Sequence, residues 1–302
     1  SKQLGGIGEM CFNSPSNSYQ ITVYNEDYKT PDWFKTGIAY QIFVDRFCNG
    51  NENGEFLGNR TDIIKRNWGE QPFYKAEQFG GEYKANDFFG GNLKGVIKKL
   101  PYLKDLGISV IYLNPIFKAY SNHKYDTGDY ETIDPMFGDE ETFKELCSKA
   151  KEMGIRIILD GVFNHTGSNS RYFNKYGEYD SVGAYQSKES PYYTWFRFMD
   201  WPDVYESWWG MTTLPQIEEH SEECRKYLLS DKDAIVKRWI KNGASGWRLD
   251  VVDELPGFFV KELRENVKKA DKDAVIIGEV WEDASNKSAY GERREYFLGK
   301  EL

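Results

Sequence analysis

The sequence is poor in the features that usually settle a protein's class. It has no stretch of 18 apolar residues, which excludes a transmembrane helix of ordinary length. Its four cysteines, Cys11, Cys48, Cys147 and Cys224, include no C-x-x-C pair. Neither a zinc site nor a redox couple is indicated, and structural thiols are the reading. Basic residues are outnumbered, with 39 Lys and Arg against 48 Asp and Glu, for a formal charge of −9. A nucleic acid or an anionic membrane needs a basic face to displace counterions, so neither is expected as a partner. The opening SKQLGGIGEMCFNSPS lacks the charged-then-apolar layout of a signal peptide. The expected location is the cytoplasm, or outside the cell if a leader was removed ahead of Ser1. No G-x-G-x-x-G follows the first strand-like segment, which counts against a dinucleotide fold.

What the chain has in excess is aromatic surface, with 21 Tyr and 9 Trp. Sugar rings stack their C–H faces on such side chains, but large cores and interfaces use them too. Composition alone leaves both readings open, and leaves a homo-oligomer open as well.

Short β-branched runs alternate with helical patterns. TGIAYQIFVDRF (36–47) reads as a first strand and GGNLKGVIKKLPYLKDLG (90–107) as a helix ending at glycine, before the strand ISVIYLNPI (108–116). GDEETFKELCSKAKEMG (138–154) is an amphipathic helix with an acidic first turn, followed by the strand IRIILDGVF (155–163). A helix over 231–243 precedes the strand ASGWRLDVV, and a helix over 255–270 precedes DAVIIGEVW (273–281). This βα rhythm predicts an α/β fold with a parallel sheet, doubly wound or closed as a barrel.

Polar residues crowd the C-terminal ends of these strands: Asp45, Asn114, Asp160, Asn164, His165, Asp250 and Glu279. That rim is where a (β/α)8 barrel builds its active site. Only five strands are legible where closure takes eight, so the expectation is an incomplete (β/α)8 barrel over 36–302, after a lead-in or domain tail over 1–35. Residues 166–220, rich in Tyr, Trp, Gly and Ser, are too long for a plain loop. They are read as a subdomain inserted after the third strand, its aromatics walling a cleft.

Asp250 and Glu279 end successive βα-unit strands, which puts both carboxyls at one rim. Two carboxyls about 5–5.5 Å apart permit retaining glycoside hydrolysis by a nucleophile and an acid/base. Arg248, two residues before Asp250, would share its strand face and hold it ionised. Apolar neighbours such as Trp281 would raise the pKa of Glu279 for proton donation. The plainer reading makes Arg248 and Asp250 a structural bridge and Glu279 a strand-end cap. His123 in SNHKYDTGDY and His165 in DGVFNH sit in polar, strand-end settings, whereas His220 in an acidic run reads as a surface residue.

With these residues assembled, the sequence resembles the α-amylase superfamily of glycoside hydrolases, most closely its neopullulanase, cyclomaltodextrinase and maltogenic amylase branch. DGVFNH (160–165), GWRLDVVDE (246–254) and GEVWE (278–282) match three of the family's four main motifs in order. AYQIFVDRFCNGN (39–51) and SNHKYDTGDYETIDPMFGDEETFKEL (121–146) match the first strand and the stretch after the second. The likeness runs from roughly residue 30 to residue 302.

The resemblance implies that Asp250 is the nucleophile, Glu279 the general acid/base and Arg248 the partner of the nucleophile. Tyr125 would stack under the sugar, with His123, Asp160 and His165 around it and Asn164 alongside. The implied substrates are α-1,4-linked, and also α-1,6-linked, glucans: malto-oligosaccharides, cyclodextrins, pullulan or starch. A transglycosylase or isomerase of the same superfamily is the alternative. A noncatalytic amylase-like binding protein is another, disfavoured because all three of Asp250, Glu279 and Arg248 are present.

Three departures matter. The fourth motif, with the family's third catalytic carboxylate, is absent, so these 302 residues alone are expected to be inactive or nearly so. The inserted segment reads MTTLPQ (211–216) where the branch tends to read Met-Pro-Lys-Leu-Asn. The branch's calcium loop corresponds to Asn49, Asn51, Gly90 and Asn92, where Asn in place of Asp removes charge that calcium favours. A structural Ca2+ is therefore an open expectation, and no other cofactor is required.

Overall fold

The computed structural model describes Phe12, residues 23–26 and residues 28–302. Most of the lead-in over 1–35, and Cys11, thus lie outside the described residues.

Five parallel strands alternate with helices: β1 (Ala39–Ile42), α1 (Leu93–Asp105), β2 (Val110–Leu113), α2 (Glu140–Glu152), β3 (Arg156–Gly161), α3 (Ile235–Lys241), β4 (Gly246–Leu249), α4 (Gly257–Ala270) and β5 (Val275–Gly278). The sheet order is β1-β2-β3-β4-β5, each strand beside its sequence neighbour. A doubly wound sheet reverses direction at a switch point, whereas a barrel winds one way. The unreversed order is that of the barrel.

The helices form for local reasons. Asn92 caps α1 by accepting from the Gly95 N–H, and Asp139 does the same for α2 through Thr142. In α2 the acidic first turn and the basic last turn both oppose the helix dipole. Buried Leu93, Val96, Leu100 and Leu103 of α1 recur at helical spacing, as do Phe259, Val260, Leu263 and Val267 of α4. Each such side chain contributes about 1.5–3 kcal/mol by leaving water, which anchors the helices to the sheet's outer face.

Period-two alternation then decides what the inner face carries. Ile111, Leu113, Ile157, Leu159, Trp247 and Leu249 join the main core. Their alternates Val110 and Ile158, with Val275 of β5, form a second small cluster. Further along the same inner face come Tyr112, Asp160 and Arg248, with Arg248 in register with Asp160. The face is apolar at the strands' N-terminal ends and polar at their C-terminal ends.

Residues 166–220 lack a regular scaffold. They contain a two-stranded pair, Phe198–Asp200 with Val204–Tyr205, and isolated bridges such as Phe196 to Ile217. The expectation for their aromatics needs correction. Most pack together and onto the main core: Tyr172 and Phe173 are fully buried, Tyr172 stacks on Trp195 at 5.0 Å and meets Tyr130 at 5.6 Å, and Phe173 stacks on Phe198 at 5.8 Å. A segment with so little backbone pairing needs that packing to stay ordered.

Candidate active site

A cavity of about 800 Å³ opens at the C-terminal ends of the strands, lined by His123, Tyr125, His165, Arg248, Asp250 and Glu279. Tyr176, Trp208 and Trp281 are the larger aromatics that reach it from the inserted segment and from the residues after β5.

Arg248 organises the floor. Its Nη1 donates to Asp250 Oδ1 at 2.8 Å and to both oxygens of Asp160 at 3.1 Å. Its Nη2 lies 2.8 Å from Glu279 Oε1. One guanidinium thus touches three carboxylates, each at a position fixed by its planar fork. Strand β4 ends at Leu249, so Asp250 stands one residue past the strand. The Arg248–Asp250 contact nevertheless forms, because the chain does not turn aside until Val251, at φ +37.

The second oxygen of Glu279 accepts the Val251 N–H at 2.9 Å, and backbone bonds from Glu279 to Leu249 and from Val252 to Glu279 lock the two strand ends together. Asp250 and Glu279 are therefore neighbours, bridged by a single guanidinium.

Burial governs the charges. It pushes the Asp250 carboxyl up to about 7, helped by the nearby Asp160 charge and opposed by Arg248. Arg248 does favour the ionised form of Asp250, through charge and hydrogen bond, but desolvation outweighs that pairing. Asp160 is raised to about 6 by burial, against Arg248 and the hydroxyls of Tyr112 and Tyr125. Burial pulls Arg248 down, but the Asp160 and Asp250 carboxylates beside it more than restore it, and it stays cationic.

Burial also lowers His165 to about 4, so its ring is neutral near pH 7. Its Nε2 then donates to the Tyr125 carbonyl at 3.1 Å. His123 is lowered by burial as well, and its Nδ1 accepts the Tyr125 N–H at 3.2 Å. The two histidines therefore brace the Tyr125 backbone from either side, while the Tyr125 hydroxyl donates to Asp160 at 3.0 Å.

Not every rim residue reaches the cavity. Asp160 is 2% exposed and sits beneath it, supporting Arg248 and Tyr125. Asn164 is 1% exposed and directs its amide at the Asp250 carbonyl, at 3.4 Å. Asp45 turns inward to accept the Phe89 and Gly90 N–H groups, so it ties a loop rather than facing the cavity. His220 is exposed and lies against the Phe258 ring. Tyr112, which donates to Asp160 and lies beneath Arg248, was missed. Its signal was a single hydroxyl within an otherwise apolar strand.

The four residues weighed for calcium do converge. Asn49 Oδ1 accepts the Asn51 N–H at 2.8 Å and the Asn92 amide at 3.3 Å. Asn92 Oδ1 accepts from Gly50 and Gly95. A Cβ on Gly95 would fall 1.8 Å from the Cys48 carbonyl, so α1 and the loop are in direct backbone contact. The side-chain oxygens of Asn49 and Asn92 already serve N–H donors, and the four residues include no carboxylate. No cluster of three or more His, Cys, Asp or Glu suited to a metal exists among the described residues. These residues do not fit a calcium ion.

Residues 41–297 match the alpha amylase catalytic domain family. The chain belongs to the alpha-amylase family. It is 42% identical to the amylopullulanase of Thermoanaerobacterium saccharolyticum, over 94% of this chain and 24% of that protein. It is 41% identical to the cyclomaltodextrinase of Thermoanaerobacter pseudethanolicus, over 84% of this chain and 41% of that one. Among solved structures, the type III pullulan hydrolase of Thermococcus kodakarensis superposes with a TM-score of 0.72 at 37% identity, covering 85% of this chain and 45% of that one. The chain thus spans between about a quarter and a half of the length of these relatives. The resemblance drawn from the motifs is borne out, and so is the amylase-type barrel with five strands present. No helix among the described residues is long and apolar enough to cross a membrane.

Proposed function

We propose that the whole protein is a retaining α-glucan hydrolase, cleaving α-1,4 and also α-1,6 glucosidic bonds of malto-oligosaccharides, cyclodextrins, pullulan or starch. The observation that carries this reading is the pairing of Asp250 and Glu279 across one Arg248 guanidinium at the floor of an aromatic-walled cavity. Two carboxyls held by Nη1 and Nη2 of one guanidinium are close enough for the pair of a retaining enzyme, about 5–5.5 Å.

In this reading Glu279 gives its proton to the glycosidic oxygen as the bond to the anomeric carbon breaks, and an Asp250 oxygen forms the glucosyl ester. Glu279, now ionised, takes a proton from an incoming water, whose oxygen attacks the anomeric carbon and releases Asp250 with the configuration restored. Arg248 stabilises the Asp250 carboxylate at departure. Tyr125, braced through its backbone by His123 and His165, presents its ring to the sugar.

Incubation with pullulan, β-cyclodextrin and starch, with the anomeric form of the first product read by NMR, tests the proposal. Release of the α-anomer, abolished by Asp250→Asn and by Glu279→Gln, is expected. A β-anomeric first product would sink the retaining assignment. Products longer than the substrate would show a sugar, rather than water, resolving the ester.

A further inference from the structure

The turn that follows Asp250 is held from outside the cavity. Val251 has φ +37, a left-handed conformation that β-branched residues rarely adopt, and this conformation directs its N–H to Glu279. Strain of that kind persists only where the surroundings over-determine it.

The surroundings are supplied by the residues after β5. Arg294 Nη1 donates to the Leu255 carbonyl at 2.9 Å and to the Val252 carbonyl at 3.3 Å. Arg294 Nε pairs with Glu301 Oε2 at 2.9 Å, both side chains being 2% exposed. The other Glu301 oxygen accepts the Glu295 N–H at 3.1 Å, which fixes the carboxylate. The Tyr296 hydroxyl donates to Asp253 within the same turn. Trp208 and Trp209 of the inserted segment donate to Glu254 at 2.5 and 2.8 Å.

Neither Arg294 nor Glu301 lines the cavity. An ion pair taken this far out of water is weak evidence for stability, since desolvation offsets the attraction. What the pair supplies is geometry: a guanidinium can serve two carbonyls and a carboxylate at once, and an ammonium cannot do so in one plane.

We propose that Arg294, buried against Glu301, is a positioning residue for the catalytic turn. It fixes the Val252 and Leu255 carbonyls so that Val251 stays left-handed and its amide seats Glu279 beside Asp250. This rests on reading Asp250 and Glu279 as the reacting pair.

The test compares Arg294→Lys, the double variant Arg294→Met with Glu301→Met, and Val251→Gly, with Asp250→Asn as the catalytic control, all in the whole protein. Arg294→Lys should lower kcat on a malto-oligosaccharide by about 10-fold or more while moving KM less than about 3-fold, because a misplacement of about 1 Å costs on the order of 100-fold in rate. In protein labelled with 5-fluorotryptophan, the Trp208 and Trp209 signals should shift in the same variant, since both indoles bond to this turn. The double variant removes both charges together and keeps the test alive if Arg294→Lys does not fold. Val251→Gly loosens the turn without touching the pair; both should show the same split between kcat and KM.

Unchanged kcat with unchanged tryptophan signals in folded Arg294→Lys overturns the proposal. So does a loss of kcat that only follows the fraction unfolded. If the wild type cleaves no α-glucan and Asp250→Asn changes nothing, the hydrolase reading fails instead. The fluorine shifts then still decide whether Arg294 holds the turn.

Discussion

Replacing Asp250 by Asn should stabilise the fold near neutral pH while removing the proposed nucleophile. In the folded chain burial raises the Asp250 carboxyl from its ordinary 3.8 to about 7, with the Asp160 charge adding to the rise. A carboxyl whose folded pKa is raised contributes stability that is fully present below about pH 4. That contribution is lost as pH climbs through the folded value. Between those limits the unfolded carboxyl is ionised and the folded one is still protonated, so each pH unit costs the folded state about 1.4 kcal/mol. The gap corresponds to about 4 kcal/mol as a ceiling, and about 2–4 kcal/mol is expected once Asp160 relaxes toward the freed guanidinium. Asn is nearly isosteric and carries no charge to desolvate, and Arg248 keeps Asp160 and Glu279 as partners. Urea unfolding of both proteins at pH 4 and pH 8 gives the readout. A difference under about 1 kcal/mol at pH 4, widening to about 2–4 kcal/mol in favour of Asn at pH 8, is expected. An Asn variant that is equally or less stable at pH 8 would show that the Arg248 pairing outweighs burial, and would refute the charge assignment made for the floor.

Three further outcomes are expected. Lys124, fully buried with its Nζ 2.7 Å from Asp134, anchors the segment carrying His123 and Tyr125; Lys124→Met strands the Asp134 charge and should cost about 3–5 kcal/mol in chemical denaturation. Trp281, 59% exposed at the cavity lip, offers a stacking face; Trp281→Ala should raise KM for a malto-oligosaccharide about 5- to 10-fold, the equivalent of about 1 kcal/mol, with the melting temperature nearly unchanged. Because the Asn49 turn is closed by its own hydrogen bonds, millimolar calcium or a chelator should shift the melting temperature by less than about 1 °C; a rise of several degrees with calcium would overturn the misfit reasoned from its donors.

The sheet was legible because its information is local. Alternation within VIYL, RIILDG and GWRL separates core-facing from inward-facing side chains, and glycine and capping residues mark where helices start and stop. The Arg248–Asp250 contact was legible for the same reason, two residues lying side by side. The role of Asp160 was only half visible. Its rim position followed from the strand, but its partners Tyr112 and Arg248 lie 48 and 88 residues away, and only the register between strands brings them in. The inserted segment's aromatics were half visible: Tyr176 and Trp208 reach the cavity, but composition counts rings without saying which way they face. The strap from Arg294 to the turn was invisible, since nothing in REYFLGKEL distinguishes a buried arginine from a solvated one.

The floor of the cavity sets three carboxylates against one guanidinium. Such a centre welcomes positive charge and repels negative charge at short range, where water is scarce and fields are weakly screened. A neutral sugar unit enters such a field without penalty, and a sugar mimic carrying a ring ammonium gains an attraction that the neutral unit lacks. A glucan bearing a phosphate or a uronic acid next to the scissile bond meets the opposite field. If the whole protein acts on α-glucans as proposed, an anionic group at that position should weaken binding at this site relative to the undecorated sugar.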